Sequence, residues 1–254
     1  MRFQLLSDLH LETEDFQPRP APDAELLILA GDVDSRWEGL RRFADWPVPV
    51  LFVPGNHEYD GREIRSTGAE LRAFCAGLGL RMLDDEALVW TARDGRRIRI
   101  LGSTRWSDFD LFGEAQRERA MRAAGYFQRL MGATLDGQVF DAGAVRQLGL
   151  ANKAWLTGQL AQPFDGPTLV VTHFAPSLRS ADPRYGRQPT TASFCNDDED
   201  LLAMATLWVH GHLHCQHDYL IERAGARTRV VCNARGHGRK GEDVRFDPLL
   251  TLAL

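Results

Sequence analysis

The chain has 254 residues, 44% hydrophobic and 26% charged, which is enough apolar material for one sizeable α/β core. A formal net charge of −5 argues against a broad nucleic-acid-binding face, since phosphate backbones are held by clustered Lys and Arg; a local basic groove stays open. No segment approaches the ~20 apolar residues of a spanning helix, and Asp8 and His10 stand too early for a signal peptide, so a cytoplasmic protein off the membrane is expected. The four cysteines (Cys75, Cys195, Cys215, Cys232) show no CxxC spacing and read as reduced thiols, Cys215 as a small bland residue beside His214.

Phe3 to Ser7 forms the first expected strand, ending in Asp8-Leu9-His10, and alternation would put Asp8 and His10 on one side. A Pro-rich loop follows at 17–22. The unbroken apolar run Leu26 to Ala30 suits a strand covered on both faces, and it ends in Gly31-Asp32-Val33-Asp34. A helix is expected over Trp37 to Trp46, stopping before Pro47. Strand Val50 to Val53 runs into Pro54-Gly55-Asn56-His57-Glu58. A helix over 66–80 has Thr67 and Glu70 as its capping box. The turn at Asp94-Gly95 joins Leu88 to Trp90 and Ile98 to Leu101 in a hairpin.

Residues 113–160 differ, being charged and Ala-rich, with helices expected near Glu114 to Met131 and Ala144 to Leu160. We read them as an insertion or helical layer over one domain spanning 1–254. Strand Thr168 to Thr172 delivers His173. A long loop from Pro176 to Asp198 then leads to Leu207-Trp208-Val209-His210-Gly211-His212-Leu213-His214, where Gly211 allows a sharp turn. Thr228 to Cys232 is a further strand, and Leu249 to Leu254 closes a sheet edge.

Polar residues thus follow strand after strand, where open α/β sheets place ligands. Collected, they are Asp8, His10, Asp32, Asn56, His57, His173, His212 and His214. Mixed imidazole, carboxylate and amide donors suit manganese, iron or zinc. They are too many for one ion, so a pair sharing a carboxylate is the economical arrangement, and paired ions suit in-line displacement at phosphorus. Two divalent ions carry +4, Asp8 and Asp32 −2 and a bridging hydroxide −1; the remaining +1 attracts a phosphate ester, and a third carboxylate in place of Asn56 would erase it. A lone Asp or Asn after a strand reads as a cap or turn residue, and singly Asp32, Asn56 and His173 carry no site; their joint order reverses this.

Asp8-Leu9-His10, Gly31-Asp32, Gly55-Asn56-His57-Glu58, His173 and Gly211-His212-Leu213-His214 resemble the five ordered motifs of the calcineurin-like metallophosphoesterase superfamily. The resemblance implies a four-layer α/β sandwich, two mixed β-sheets flanked by helices, with a dinuclear site at the strand ends. It assigns Asp8, His10 and His214 to one ion, Asn56, His173 and His212 to the other, and Asp32 to the bridge. It makes His57 a non-ligand that contacts the substrate phosphate or protonates the leaving group. One departure is Ser35 where the family's second motif usually continues to an Asp, with Asp34 one place early; this weakens assignment to the protein Ser/Thr phosphatases. The stretches Thr104 to Phe109 and Asn233 to Gly236 resemble a group of bacterial members.

The expected activity is phosphohydrolysis by a metal-bridging hydroxide, with phosphodiesters first and phosphomonoesters second. A nuclease would need a basic groove, and a metal-binding scaffold would lack ligands that are all present here. The substrate is expected to be a phosphate ester, small or nucleotide-like, with no membrane partner; nothing in the sequence sets an oligomeric state. Trp106 and Phe109 are candidates to line the substrate pocket, as core residues or stacking faces, and Arg184 is a candidate for a second charged group. Asp34 and Glu58 read as capping or supporting residues, His210 as a core histidine, and His217 and His237 as solvated loop residues.

Overall fold

The computed structural model describes residues 1–223 and 225–254. In chain order the elements are β1 (Arg2–Leu6), β2 (Leu26–Ala30), β3 (Val50–Val53), α1 (Ile64–Gly77), β4 (Arg81–Met82), β5 (Glu86–Thr91) and β6 (Arg97–Ser103). There follow α2 (Glu114–Met131), β7 (Thr134–Leu135), β8 (Gln138–Val139), α3 (Ala142–Leu160), β9 (Thr168–Thr172) and α4 (Glu199–Leu202). The chain ends with β10 (Leu207–His210), β11 (His217–Arg223), β12 (Ala226–Cys232) and β13 (Thr251–Ala253).

Two large mixed sheets result. The first runs β13-β1-β2-β3-β4 and the second β11-β12-β10-β9-β6-β5. Strands β1 to β4 are parallel, with β13 antiparallel at the edge; in the second sheet β6, β9, β10 and β12 are parallel, and β5 and β11 are antiparallel edges.

Apolar alternation decides the layering. In β2, Leu26, Ile28 and Ala30 face the second sheet, meeting Ile98, Leu169, Val171 and Val209, whereas Leu27 and Leu29 face outward to Leu40, Phe43, Leu71 and Cys75. In β10, Leu207 and Val209 point inward while Trp208 packs outward on Leu156 and Leu160 of α3 and Leu202 of α4. Both faces of each central strand are therefore buried, which is why these strands read as unbroken apolar runs. The product is a helix, sheet, sheet, helix sandwich, the metallophosphatase fold.

Local expectations fared unevenly. The helix expected over 37–46 is a 3₁₀ segment at Glu38–Phe43, and Trp37 ahead of it has φ +71°. Helix α1 starts at Ile64, two residues early, because the Glu63 side chain accepts the Ser66 N–H at 2.8 Å; Thr67 is buried inside the helix and caps nothing. Helices α2 and α3 stand where the composition of 113–160 put them. Val145 of α3 joins the cluster of Ala120 and Ala124 of α2 with Trp106 and Phe140, while Leu156 and Leu160 cover the second sheet. Among the described residues no helix is long and apolar enough to cross a membrane.

Candidate metal centre

The carboxyl ends of the parallel strands meet at one end of the sandwich. Backbone bonds cross between the sheets there: Arg235 N–H donates to Ser7 O (2.9 Å) and Gly236 N–H to Asp8 O (2.9 Å). Asp8 and His10 follow β1, Asp32 follows β2, Asn56 and His57 follow β3, His173 follows β9, and His212 and His214 follow β10. Asp8 and His10 do not share a face by strand alternation, because β1 ends at Leu6 and both have positive φ, +53° and +47°. Asp32 (+51°), His212 (+74°) and His214 (+50°) are also left-handed. Such backbone is uncommon away from glycine and persists where surrounding contacts over-determine it, as they do at functional sites.

Two glycines permit the close approach. A Cβ on Gly211 would collide with Ser7 Oγ and lie 2.5 Å from Asp8 Oδ2; space, rather than a sharp turn, demands glycine there. A Cβ on Gly55 would collide with Asp32 Oδ1 and lie 2.7 Å from the Asp32 backbone nitrogen.

Donor orientation tests whether cations fit. His10 Nδ1 pairs with Glu12 Oε1 (3.1 Å) and His214 Nδ1 with Glu242 Oε2 (2.7 Å), and a carboxylate on Nδ1 favours the tautomer whose Nε2 is open to a cation. Those two Nε2 atoms face each other at 3.0 Å. His173 Nδ1–H donates to Ala30 O (2.8 Å), directing Nε2 at Asp32 Oδ2, 3.1 Å away, a contact that requires a proton or a cation between the two atoms. Asn56 Oδ1 is buried and unpartnered. His212 Nε2–H donates to Ser193 O (3.2 Å), leaving Nδ1 free. Acceptors converging on acceptors suit divalent cations, and the outer partners Glu12, Glu242 and Ala30 O orient the rings as outer-shell groups of metal sites do. The ligand atoms gather in three overlapping groups, Asp8-His10-Asp32, Asp32-His173-His212 and His10-His214-His237, each within 4.8 Å. Asp32 belongs to two of them.

Electrostatics point the same way. Burial opposes the charge of Asp32, but His173 and His57 outweigh it and hold the carboxyl well below its usual range. Burial likewise opposes protonation of His173, and Asp32 nonetheless pushes it up to about 9: without a cation, a proton takes its place. Burial and His173 keep His212 neutral. His57 stands beside the cluster; its Nδ1 pairs with Asp60 Oδ2 (2.7 Å) and its backbone N–H with Asp32 Oδ1 (2.9 Å). Burial works against its charge, yet Asp32 and Asp60 raise it to about 10, and its 39% exposure lets solvent weaken that attraction.

Of the supporting residues, Glu58 accepts backbone N–H bonds from Asp32, Val33 and Gly55 (2.6–3.0 Å), clamping the second and third motif loops together. Asp34 accepts from Arg36 N–H and Gly39 N–H, the part of a turn residue. His210 is a core histidine bonded to Ser180 Oγ. His237 is no solvated loop residue: its ring lies 4.5 Å from that of His10 and 5.1 Å from that of His214. Glu12, Glu242 and His237 were missed in the sequence. Only Glu12 left a local signal, two residues beyond His10.

A cleft of about 560 Å³ opens on the cluster and is lined by Asp32, Asn56, His57, His212 and His214 at its base. Trp106 and Phe109 reach its wall but are 5% and 1% exposed. The Trp106 ring contacts Tyr59, Phe140 and Phe174, which leaves it no free stacking face. Arg184 lines the cleft with its guanidinium on Asp182 Oδ2 (2.6 and 2.8 Å). The loop after Pro176 supplies much of one wall through Asp182 to Phe194.

Comparison with known proteins agrees with this geometry. No curated protein matches the chain. Among solved structures, phosphopantetheinyl hydrolase (PptH) from Mycobacterium tuberculosis superposes with a TM-score of 0.69 over 96% of this chain and 92% of its own, at 19% identity, a likeness of fold. The sequence model of calcineurin-like phosphoesterases matches residues 1–216, a span that takes in all five strand-end motifs from Asp8 to His214. This chain therefore belongs to the calcineurin-like phosphoesterase family.

Proposed function

We propose that the protein is a phosphodiesterase working through two divalent cations, manganese, iron or zinc, held by Asp8, His10, Asp32, Asn56, His173, His212 and His214. The single observation that carries this is the facing of ligand-type acceptor atoms, His10 Nε2 on His214 Nε2 at 3.0 Å and His173 Nε2 on Asp32 Oδ2 at 3.1 Å. Asp32 and His10 each belong to two ligand groups, and of the two only Asp32 has a second ligand oxygen, so it would be the carboxylate shared between the cations. Bound there, the cations would supply an activated water and neutralise charge on the phosphoryl oxygens. His57 holds a proton at Nε2, oriented by Asp60 on Nδ1, and delivers it to the leaving oxygen as general acid. Glu58 keeps the Asp32 backbone in place.

A diester is favoured over a monoester because the cleft extends well beyond the space of one phosphate and offers two unlike walls, one apolar and one carrying Asp182, Arg184 and Glu242. The pairing of Arg184 with Asp182 speaks against the basic groove of a nuclease. Phosphopantetheinyl esters join the substrates to be tried, since the similarly folded hydrolase acts on that group. The whole chain works as one domain, with α2 and α3 roofing the site.

The test is reconstitution with each metal, elemental analysis, and turnover of bis-p-nitrophenyl phosphate against p-nitrophenyl phosphate. Two ions per chain and faster diester cleavage are expected, with both ions lost in Asp32→Ala. A full pair of ions in Asp32→Ala would overturn the assignment.

A further inference from the structure

We infer that the organic group retained on phosphorus beside the scissile ester is an uncharged, flexible and mainly apolar chain, lying along the wall that the C-terminal half of α2 and the 189–194 turn form together. This rests on the phosphoesterase reading and adds the substrate class.

An aromatic ladder leaves the metal cluster in one direction. The His212 ring lies 4.2 Å from Phe174 and 4.9 Å from Phe194, and Phe194 lies 5.0 Å from Phe127 of α2. Leu130, Met131 and Leu213 continue the same wall. Part of it faces water: Leu130 is 67% exposed, Phe127, Phe194 and Leu213 are half-buried, and across the cleft Tyr185 is 63% exposed. A contiguous apolar surface opening onto a reaction centre marks a ligand groove.

The charges in the cleft narrow the occupant. Arg184 is bound to Asp182 and lies 4.0 Å from Glu242. Lys240 stands near Glu242 and His237. These two cations are balanced by two carboxylates, so the residues lining the cleft itself hold no surplus for a second phosphate or a carboxylate on the substrate. Ring geometry argues against a planar base. Trp106 is enclosed by aromatic neighbours, and Phe127 meets Phe194 edge to face (77°), leaving a corrugated wall that suits a chain of methylenes better than a flat ring.

The experiment uses metal-loaded protein and p-nitrophenyl alkyl phosphates with methyl, butyl and hexyl groups. Each methylene removed from water is worth about fourfold in kcat/KM, so a gain of at least about tenfold is expected from methyl to butyl. Leu130→Ser and Phe127→Ser should flatten that slope; Val139→Ser, exposed on the β7–β8 hairpin, should keep it. Binding of hexylphosphonate against methylphosphonate, read by calorimetry, repeats the comparison without turnover. Metal-dependent cleavage of the methyl ester with no rise along the series overturns the inference and leaves the hydrolase reading standing. Preference for a nucleoside ester over the hexyl ester overturns it in favour of a base site. Failure to cleave any ester removes the hydrolase reading, and equal affinity for the two phosphonates then removes this one too.

Discussion

Arg105 offers a sharp test of how the roof of the cleft is held. The side chain is fully buried, and all five of its N–H donors are used: Nε and Nη2 grip Asp198 (2.9 and 2.7 Å), Nη2 also reaches Asp108 (2.8 Å), and Nη1 donates to the carbonyls of Trp106 (2.9 Å) and Gly149 (3.0 Å). It thereby ties the segment carrying Trp106 and Phe109 to α3 and to the end of the 176–198 loop. Lysine keeps the charge but has three donors, so Arg105→Lys strands at least two buried acceptors. Each buried polar group left unpaired costs about 1–3 kcal/mol, giving a loss of roughly 4 kcal/mol. Against an ordinary stability of about 5–15 kcal/mol that is large, and at this chain length it lowers Tm by on the order of 10 °C. Arg105→Met should cost more, because the only cation then left to Asp108 and Asp198 is Lys153, 3.7 and 3.4 Å away and itself half-buried. Urea unfolding of the two variants measures both steps. Values for Arg105→Lys and Arg105→Met within about 1 kcal/mol of wild type would refute the reasoning.

Three further outcomes are expected. Glu242→Gln removes the anion on His214 Nδ1 and should weaken metal binding about 10–100-fold, read by metal titration; unchanged affinity would remove Glu242 from the site. His57→Ala should keep both ions yet lose about 10²–10⁴-fold in turnover, the loss shrinking for nitrophenolate leaving groups; loss of metal would contradict its non-ligand role. Burial raises Asp84 to about 6, with neighbouring Asp85 adding to the rise against the Thr104 N–H bond. The folded chain therefore holds a proton that the unfolded chain releases between about pH 4 and 6, and stability falls as pH rises through that window. Asp84→Asn escapes this cost. It should be more stable than wild type at pH 7.5 by up to about 3 kcal/mol, the full value of the shift, and no more stable at pH 4, as thermal melts at the two pH values will reveal.

Much of the molecule was legible residue by residue. Leu26 to Ala30 and Leu207 to Val209 announced strands buried on both faces because apolar residues ran without a break. The residues after each strand announced a shared site, since parallel strands bring their carboxyl ends together. What tertiary structure alone decided lies across the chain. Glu242 orients His214 from 28 residues away, and His237 closes on His10 from the far end, contacts no local pattern can encode. Local turn logic failed in a related way at Gly211, where the demand for glycine comes from Ser7 and Asp8 on another sheet. Trp106 read equally as core or stacking face, and only its neighbours Tyr59, Phe140 and Phe174 settled which faces were free. Strand periodicity and motif order are local properties of the backbone and survive in one dimension; the pairing of charges and the direction of lone pairs depend on which loops the two sheets bring within a few ångströms.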